Sequence, residues 1–210
     1  MPTSPVPPAP SPAKPTPLRR RLRAARKLLL AGVGALLIVV GGFYGYLQVS
    51  NNFHEVEAGR YYRSAQLSPQ ELASAIERYG IRSVLNLRGP NAGKPWYDEE
   101  IAVTTGAGVR QLDYPISARQ PVSLQQIAEI QALIAQAPKP LLVHCWDGAD
   151  RTGLITAIYR LSQGAGAATA EEELSIRYGH FPYLGAKSRA MDDSFNAYLA
   201  SRRAAPAAAR

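Results

Sequence analysis

At 210 residues the chain has room for one domain of ordinary size plus appendages, with a core large enough to fold alone. Its formal net charge of +8 would suit a nucleic-acid partner, yet seven of the 24 basic residues (Lys14, Arg19, Arg20, Arg21, Arg23, Arg26, Lys27) precede Leu28, where no acid occurs. The other 17 basic residues face 16 acidic ones, so no basic surface is left for nucleic acid and the basicity reads as a topology signal.

The opening Pro5-Val6-Pro7-Pro8-Ala9-Pro10 belongs to a Pro-rich, basic tail over 1–27, expected to be disordered and cytoplasmic. An uncharged run follows from Leu28 to Ser50, long enough at roughly twenty apolar residues to span a bilayer. A cleaved signal peptide would have a shorter apolar core and an Ala-x-Ala-like site, and no such site is evident. Arg19-Arg20-Arg21 also resembles a twin-arginine export signal. An uncleaved anchor over 28–50, touching the membrane through Leu28 to Leu47, is the expectation. Basic residues before the span place the N-terminus in the cytoplasm and the rest outside it, in the periplasm. A single cysteine forms no internal disulfide and leaves its thiol unpaired.

From Asn51 to about residue 204 the pattern is that of one α/β domain, with a short tail over 205–210. Phe53 to Val56 and Arg60 to Arg63 flank Glu57-Ala58-Gly59, a hairpin signal. Ser68-Pro69-Gln70-Glu71 opens a helix that Gly80 ends after Tyr79. Ile81 to Leu87 reads as a strand, broken by Arg88-Gly89-Pro90-Asn91. Trp96 to Thr105 reads as a helix and Val109 to Asp113 as a strand. Ser123 caps a helix to about Gln136, with Leu124, Ile127, Ile130, Leu133 and Ile134 at helical spacing. Pro140 to Val143 is an apolar run that reads as a buried strand, and Leu154 to Leu161 as a helix. Two more helices are expected, Ala170 to Tyr178 and Lys187 to about Arg202. There is no internal repeat. The alternation predicts a central, mostly parallel sheet flanked by helices.

Between the Pro140 strand and the Leu154 helix lies Val143-His144-Cys145-Trp146-Asp147-Gly148-Ala149-Asp150-Arg151-Thr152-Gly153. A loop that runs from a strand into a helix aims consecutive N–H groups at one point, which is an anion site. Residues Trp146 to Arg151 would wrap a phosphate there. N–H dipoles and Arg151 would stabilise a Cys145 thiolate, both nucleophile and leaving group. The planar fork of Arg151 matches two oxygens of a phosphoryl group, which lysine cannot do. Thr152 would donate its hydroxyl to the departing sulfur. Gly148 and Gly153 allow backbone angles or approaches that a Cβ would obstruct.

At His144, Cys145, Arg151 and Thr152 the sequence resembles the cysteine-dependent protein tyrosine phosphatase superfamily, whose signature is His-Cys, five residues, Arg, then Ser or Thr. Asp150-Arg151-Thr152-Gly153 is similar to the bacterial and atypical dual-specificity branch. The resemblance runs loosely from about Tyr61 to Tyr198, through Tyr62-Arg63-Ser64 and Asn86-Leu87-Arg88. It implies a tyrosine-phosphatase-like fold and hydrolysis of a phosphate monoester through a phosphocysteine, with no metal or other cofactor. It also implies that His144 orients the loop.

Such chemistry needs an acid for the leaving oxygen and a base for water. Asp113, at a predicted strand end, is the favoured candidate, because its loop could swing over the substrate. Asp150 beside Arg151 competes, and Asp147 is a third choice. Arg88 and Lys94 are candidates for the pocket rim. The substrate is expected to be a phosphorylated protein, lipid or glycan near the membrane. Two alternatives stay open: a tethered phosphate-binding module without turnover, and a Cys-loop sulfurtransferase or redox enzyme. The latter lacks an internal resolving thiol.

Overall fold

Leucine, arginine and alanine are good helix formers, and they extend the first helix back from the apolar run in this computed structural model, in which residues 17–204 are described. Helix α1 spans Pro17–Val49. Within it Ala25–Val49 is long and apolar enough to cross a membrane, about 37 Å at 1.5 Å per residue. The chain forms two units, one ending at Tyr44 and the other beginning at Gly45. The tail expected to be disordered over 1–27 is instead helical from Pro17 onward; residues 1–16 and the expected tail over 205–210 lie outside the described residues.

The last turn of α1 belongs to the second unit and is closed by two asparagines. Asn51 (φ 51) and Asn52 (φ 47) are left-handed, a conformation that Asn tolerates through its short polar side chain. The N–H of Asn52 returns to Leu47 O at 3.0 Å.

Five strands follow: β1 His54–Glu57, β2 Tyr61–Ser64, β3 Ser83–Asn86, β4 Arg110–Asp113 and β5 Leu141–His144. Their order is β1-β2-β5-β3-β4, with β1 antiparallel to β2 and the other pairs parallel. The helices are α2 Pro69–Tyr79, α3 Pro95–Gly106, α4 Leu124–Gln136, α5 Asp150–Ser162, α6 Ala167–Glu171 and α7 Arg189–Ala204. Side-chain alternation along the strands divides the core in two. Tyr61, Leu85, Leu141 and Val143 pack with Ile127, Ile130, Leu154, Ile158 and Phe195 of α4, α5 and α7. Tyr62, Val84 and Leu142 pack on the other face with Leu72, Ile76 and Val103 of α2 and α3. Strand β5 is thus enclosed on both faces and both edges, as its unbroken apolar run requires.

Capping boxes form at Ser68 with Glu71 and at Ser123 with Gln126, and Gly80 ends α2 left-handed. Two further elements differ from the sequence expectation. Helix α5 starts at Asp150, so Arg151 and Thr152 sit in its first turn rather than in a loop. The helix expected over Ala170 to Tyr178 is broken into α6 and two 3-10 turns, Glu172–Leu174 and Ile176–Tyr178. Ser175 between them is extended (φ −124, ψ 165), and Arg63 draws both the carbonyl and the carboxylate of Glu173 toward the sheet.

Candidate active site

The loop from Cys145 to Ala149 leaves the carboxyl end of the central strand, where parallel α/β sheets bind ligands. Two glycines fix its path. Gly148 has φ +73, and a Cβ there would lie 2.7 Å from the backbone of Ser64 and Ala65. At Gly153 a Cβ would lie 2.7 Å from Glu173 O.

Arg63 holds the loop from below. It is fully buried, donates from Nη1 to Glu173 Oε2 at 2.6 Å and from Nη2 to Gly148 O at 2.6 Å, and stacks 3.9 Å from the Tyr178 ring centre. Carbonyl and N–H of one peptide point in opposite directions. Holding Gly148 O toward Arg63 therefore turns Ala149 N–H into the loop, where it donates to Asp147 Oδ1 at 3.0 Å. Asn52 adds a second tie, donating to Asp147 O at 3.0 Å and to Tyr178 O at 2.8 Å.

Cys145 is buried at the base of the loop, and its thiol donates to Asp147 Oδ1 at 3.6 Å. The same carboxylate oxygen thus meets both the sulfur and an inward N–H. His144 is buried beside it, with Nδ1 3.3 Å from Cys145 O and Nε2 3.2 Å from Glu100 Oε2. Glu100 also accepts from Gln66 at 2.5 Å and Gln111 at 2.6 Å. Burial alone would raise its pKa, but the His144 charge and these donors outweigh burial and hold it below the usual carboxylate value.

Arg151 donates from Nη1 to Ile116 O at 3.4 Å and Leu87 O at 3.5 Å. Its Nε and the Thr152 hydroxyl are buried with no partner among the described residues. Unpaired buried donors are uncommon. Here both stand in the first turn of α5, where an anion would satisfy them.

The candidate carboxylates differ in how they are held. Asp113 ends β4 in register with Asn86 and, through it, with His144, about 10 Å away across two strand spacings. Its Oδ1 accepts from Asn86 at 2.8 Å and its Oδ2 from the Tyr97 hydroxyl at 2.7 Å. Burial and that bond push the Tyr97 pKa up to about 12. Asp150 uses only Oδ1, 2.6 Å from His180 Nδ1, and the fully buried His180 reaches Asp192 Oδ2 at 3.0 Å with Nε2. Burial would lower the His180 pKa, but bonds to the two aspartates raise it above the ordinary histidine value. A cavity of about 330 Å³ beside Asp150 is lined also by Ala118, Arg119, Lys187 and Ser188.

At the rim, Arg88 lies between two indoles, 3.3 Å from the Trp96 ring centre and 4.6 Å from that of Trp146. Burial and the Arg151 charge lower its pKa. Lys94 is exposed at the start of α3 and joins none of these contacts. Sequence reasoning did not find Arg63, Glu100, His180, Asn52 or Trp96 as parts of the site. Arg63 carried a usable signal, since a charged residue between Tyr62 and Ser64 in a strand that packs on both faces needs a buried partner.

The family model described as DSP-PTPase phosphatase fused to NAD+ kinase matches residues 46–189, which take in the sheet, the loop and α5. The chain belongs to this family of cysteine-dependent phosphatases. TpbA of P. aeruginosa, solved with phosphotyrosine, is 24% identical over 75% of this chain and 93% of its own, with a TM-score of 0.55. The catalytic domain of the PP-IP phosphatase SIW14 of S. cerevisiae, solved with citrate, is 20% identical over 73% and 93%, with a TM-score of 0.56. Both share the fold of this phosphatase. No curated protein matches the chain.

Proposed function

We propose that the phosphatase hydrolyses phosphate monoesters through a phosphocysteine at Cys145 while α1 anchors it in a membrane with the catalytic domain outside the cytoplasm. The observation that carries the reading is the pair of unpartnered buried donors, Arg151 Nε and Thr152 Oγ1, in the first turn of α5 behind Cys145. In this mechanism Cys145 Sγ attacks phosphorus and the ester P–O bond breaks. Asp150 gives its proton to the leaving oxygen. Water then attacks the phosphoryl group, its proton returns to Asp150, and the S–P bond breaks as Thr152 donates to sulfur. The hydrogen bonds favour Asp150 over Asp113 for proton transfer, because both oxygens of Asp113 accept from Asn86 and Tyr97 whereas Asp150 keeps Oδ2. Arg151 holds the equatorial oxygens as charge spreads over them, and Arg88 between its indoles adds positive potential at the rim.

The basic residues before α1 support the orientation. A site tethered close to the bilayer suits a phosphate carried by a lipid, a membrane-linked glycan or a membrane-proximal protein. Full-length protein in detergent should hydrolyse an aryl phosphate and lose that activity in Cys145→Ser. Equal activity in the variant overturns the covalent mechanism. A panel of phosphopeptides, phosphoinositides and phosphatidylglycerophosphate, with the same control, identifies the substrate class.

A further inference from the structure

Outside α1 and the catalytic loop, exposed apolar side chains gather on the segment that joins the second 3-10 turn to α7. Ile176, Phe181, Tyr183 and Leu184 are all exposed, and Leu184 is 96% exposed. Leu184 also sits at φ +56, a left-handed conformation in which Asn or Gly would be far less strained. Strain and exposure together make leucine a poor choice there for a surface that meets only water. The segment is well tied down. Ser188 Oγ donates to Phe181 O at 3.1 Å, and the Phe181 and Tyr183 rings meet edge-on at 5.2 Å. Arg177 and Lys187 are exposed on either side. Glu171 and Glu172 share a cavity with Ile176 and Tyr183, whereas Phe181 to Leu184 lie between the two basic residues, and aromatic and aliphatic side chains so placed suit the interface of a bilayer.

Its position says which bilayer. Helix α1 ends at Val49, and three residues later the buried Asn52 donates to Tyr178 O at 2.8 Å. Leu47 packs over Gly179, where a Cβ would come within 3.1 Å of Leu47 Cδ1. The His54 ring meets Tyr178 edge-on at 4.9 Å. Three contacts therefore fix Tyr178 and Gly179, from which the apolar segment starts, against the residues by which the chain leaves α1.

We infer that this segment is a second membrane contact, in which Phe181, Tyr183 and Leu184 enter the interface of the bilayer that α1 crosses while Arg177 and Lys187 meet anionic headgroups. The inference rests on the membrane-spanning reading of α1. Asn52 carries the contact to the catalytic loop, since its side chain also donates to Asp147 O at 3.0 Å.

The test uses full-length protein with Cys145→Ser, which leaves no native thiol, and one added cysteine at either Leu184 or Ile38. Each carries an environment-sensitive fluorophore in vesicles of phosphatidylcholine and phosphatidylglycerol that contain shallow or deep spin-labelled lipid. The expected result is loss of fluorescence with shallow quencher for Leu184→Cys and with deep quencher for Ile38→Cys. Quenching at Ile38 alone overturns the second contact and leaves the span. Quenching at neither overturns both, and quenching at Leu184 alone removes the span on which the inference rests and so overturns it as a second contact. A Leu184 label shielded from water yet unquenched by lipid means that a second copy or another protein covers the segment, and it too overturns the inference.

Discussion

The two sides of the catalytic loop are built on different principles. On the side facing β2, contacts are buried and charge-balanced: Arg63 is enclosed between Glu173, Gly148 O and the Tyr178 ring, and Gly148 and Gly153 leave no room for a Cβ. On the opposite side, Trp146 is 63% exposed, Arg88 lies between indoles, and Asp147 and Asp150 keep polar atoms near the sulfur or the cavity. Shape is set from below, where a change leaves a buried charge uncompensated or drives a Cβ into backbone. Chemistry and selectivity are set from above, where side chains can change without unfolding the loop.

The contrast predicts its largest effect for Arg63→Met. That change leaves the Glu173 carboxylate and Gly148 O buried without their partner, so denaturant unfolding should lose about 3–5 kcal/mol. A loss near that of a surface substitution would break the comparison. Asp150→Asn, on the other side, should cost less stability than Arg63→Met, because Asp192 still holds the buried His180, while lowering kcat on alkyl phosphates by about 10²–10³-fold. An aryl phosphate with a good leaving group should lose less, because it needs less proton donation. Asp113→Asn should do the reverse, lowering stability more than kcat, since it weakens the links to Asn86 and Tyr97.

The smallest effect is in pH dependence. His180 has a raised pKa, so its contribution to stability is complete below the ordinary value of 6.5 and is lost as pH rises through the raised one. The Tm gap between wild type and His180→Gln should therefore narrow on the alkaline side. His54, half-buried near Arg63 and Arg177, is lowered to about 4 by burial and those charges. Its contribution is complete above 6.5 and fades as pH falls toward 4. Wild-type Tm should thus peak between the two limbs, and His54→Gln should flatten the acidic one.

The same division explains what could be read from the sequence. Cys145 to Gly153 is contiguous, so spacing alone picked out the cysteine, the arginine and both glycines of the loop. Ser68 and Ser123 announced their helices because a capping box needs only four residues. The supports of the loop were hidden because their partners are remote: Arg63 meets a residue 110 positions away and His144 one 44 positions away. The helix expected over Ala170 to Tyr178 failed for the same reason, since periodicity does not reveal that Arg63 will take Glu173. Local pattern could place Asp113 at a strand end, but not that Asn86 and Tyr97 would occupy both of its oxygens. His180 became visible as a partner of Asp150 only when α7 brought Asp192 to its other nitrogen.

The most direct test is rapid acid quench of the full-length enzyme during turnover of an aryl phosphate, followed by mass analysis of the peptide that contains Cys145. The account predicts a phosphoryl group on Cys145 that forms within the first turnover, accumulates further in Asp150→Asn and is absent in Cys145→Ser. Turnover with no adduct on that peptide at any quench time, together with persistent activity in Cys145→Ser, would contradict it.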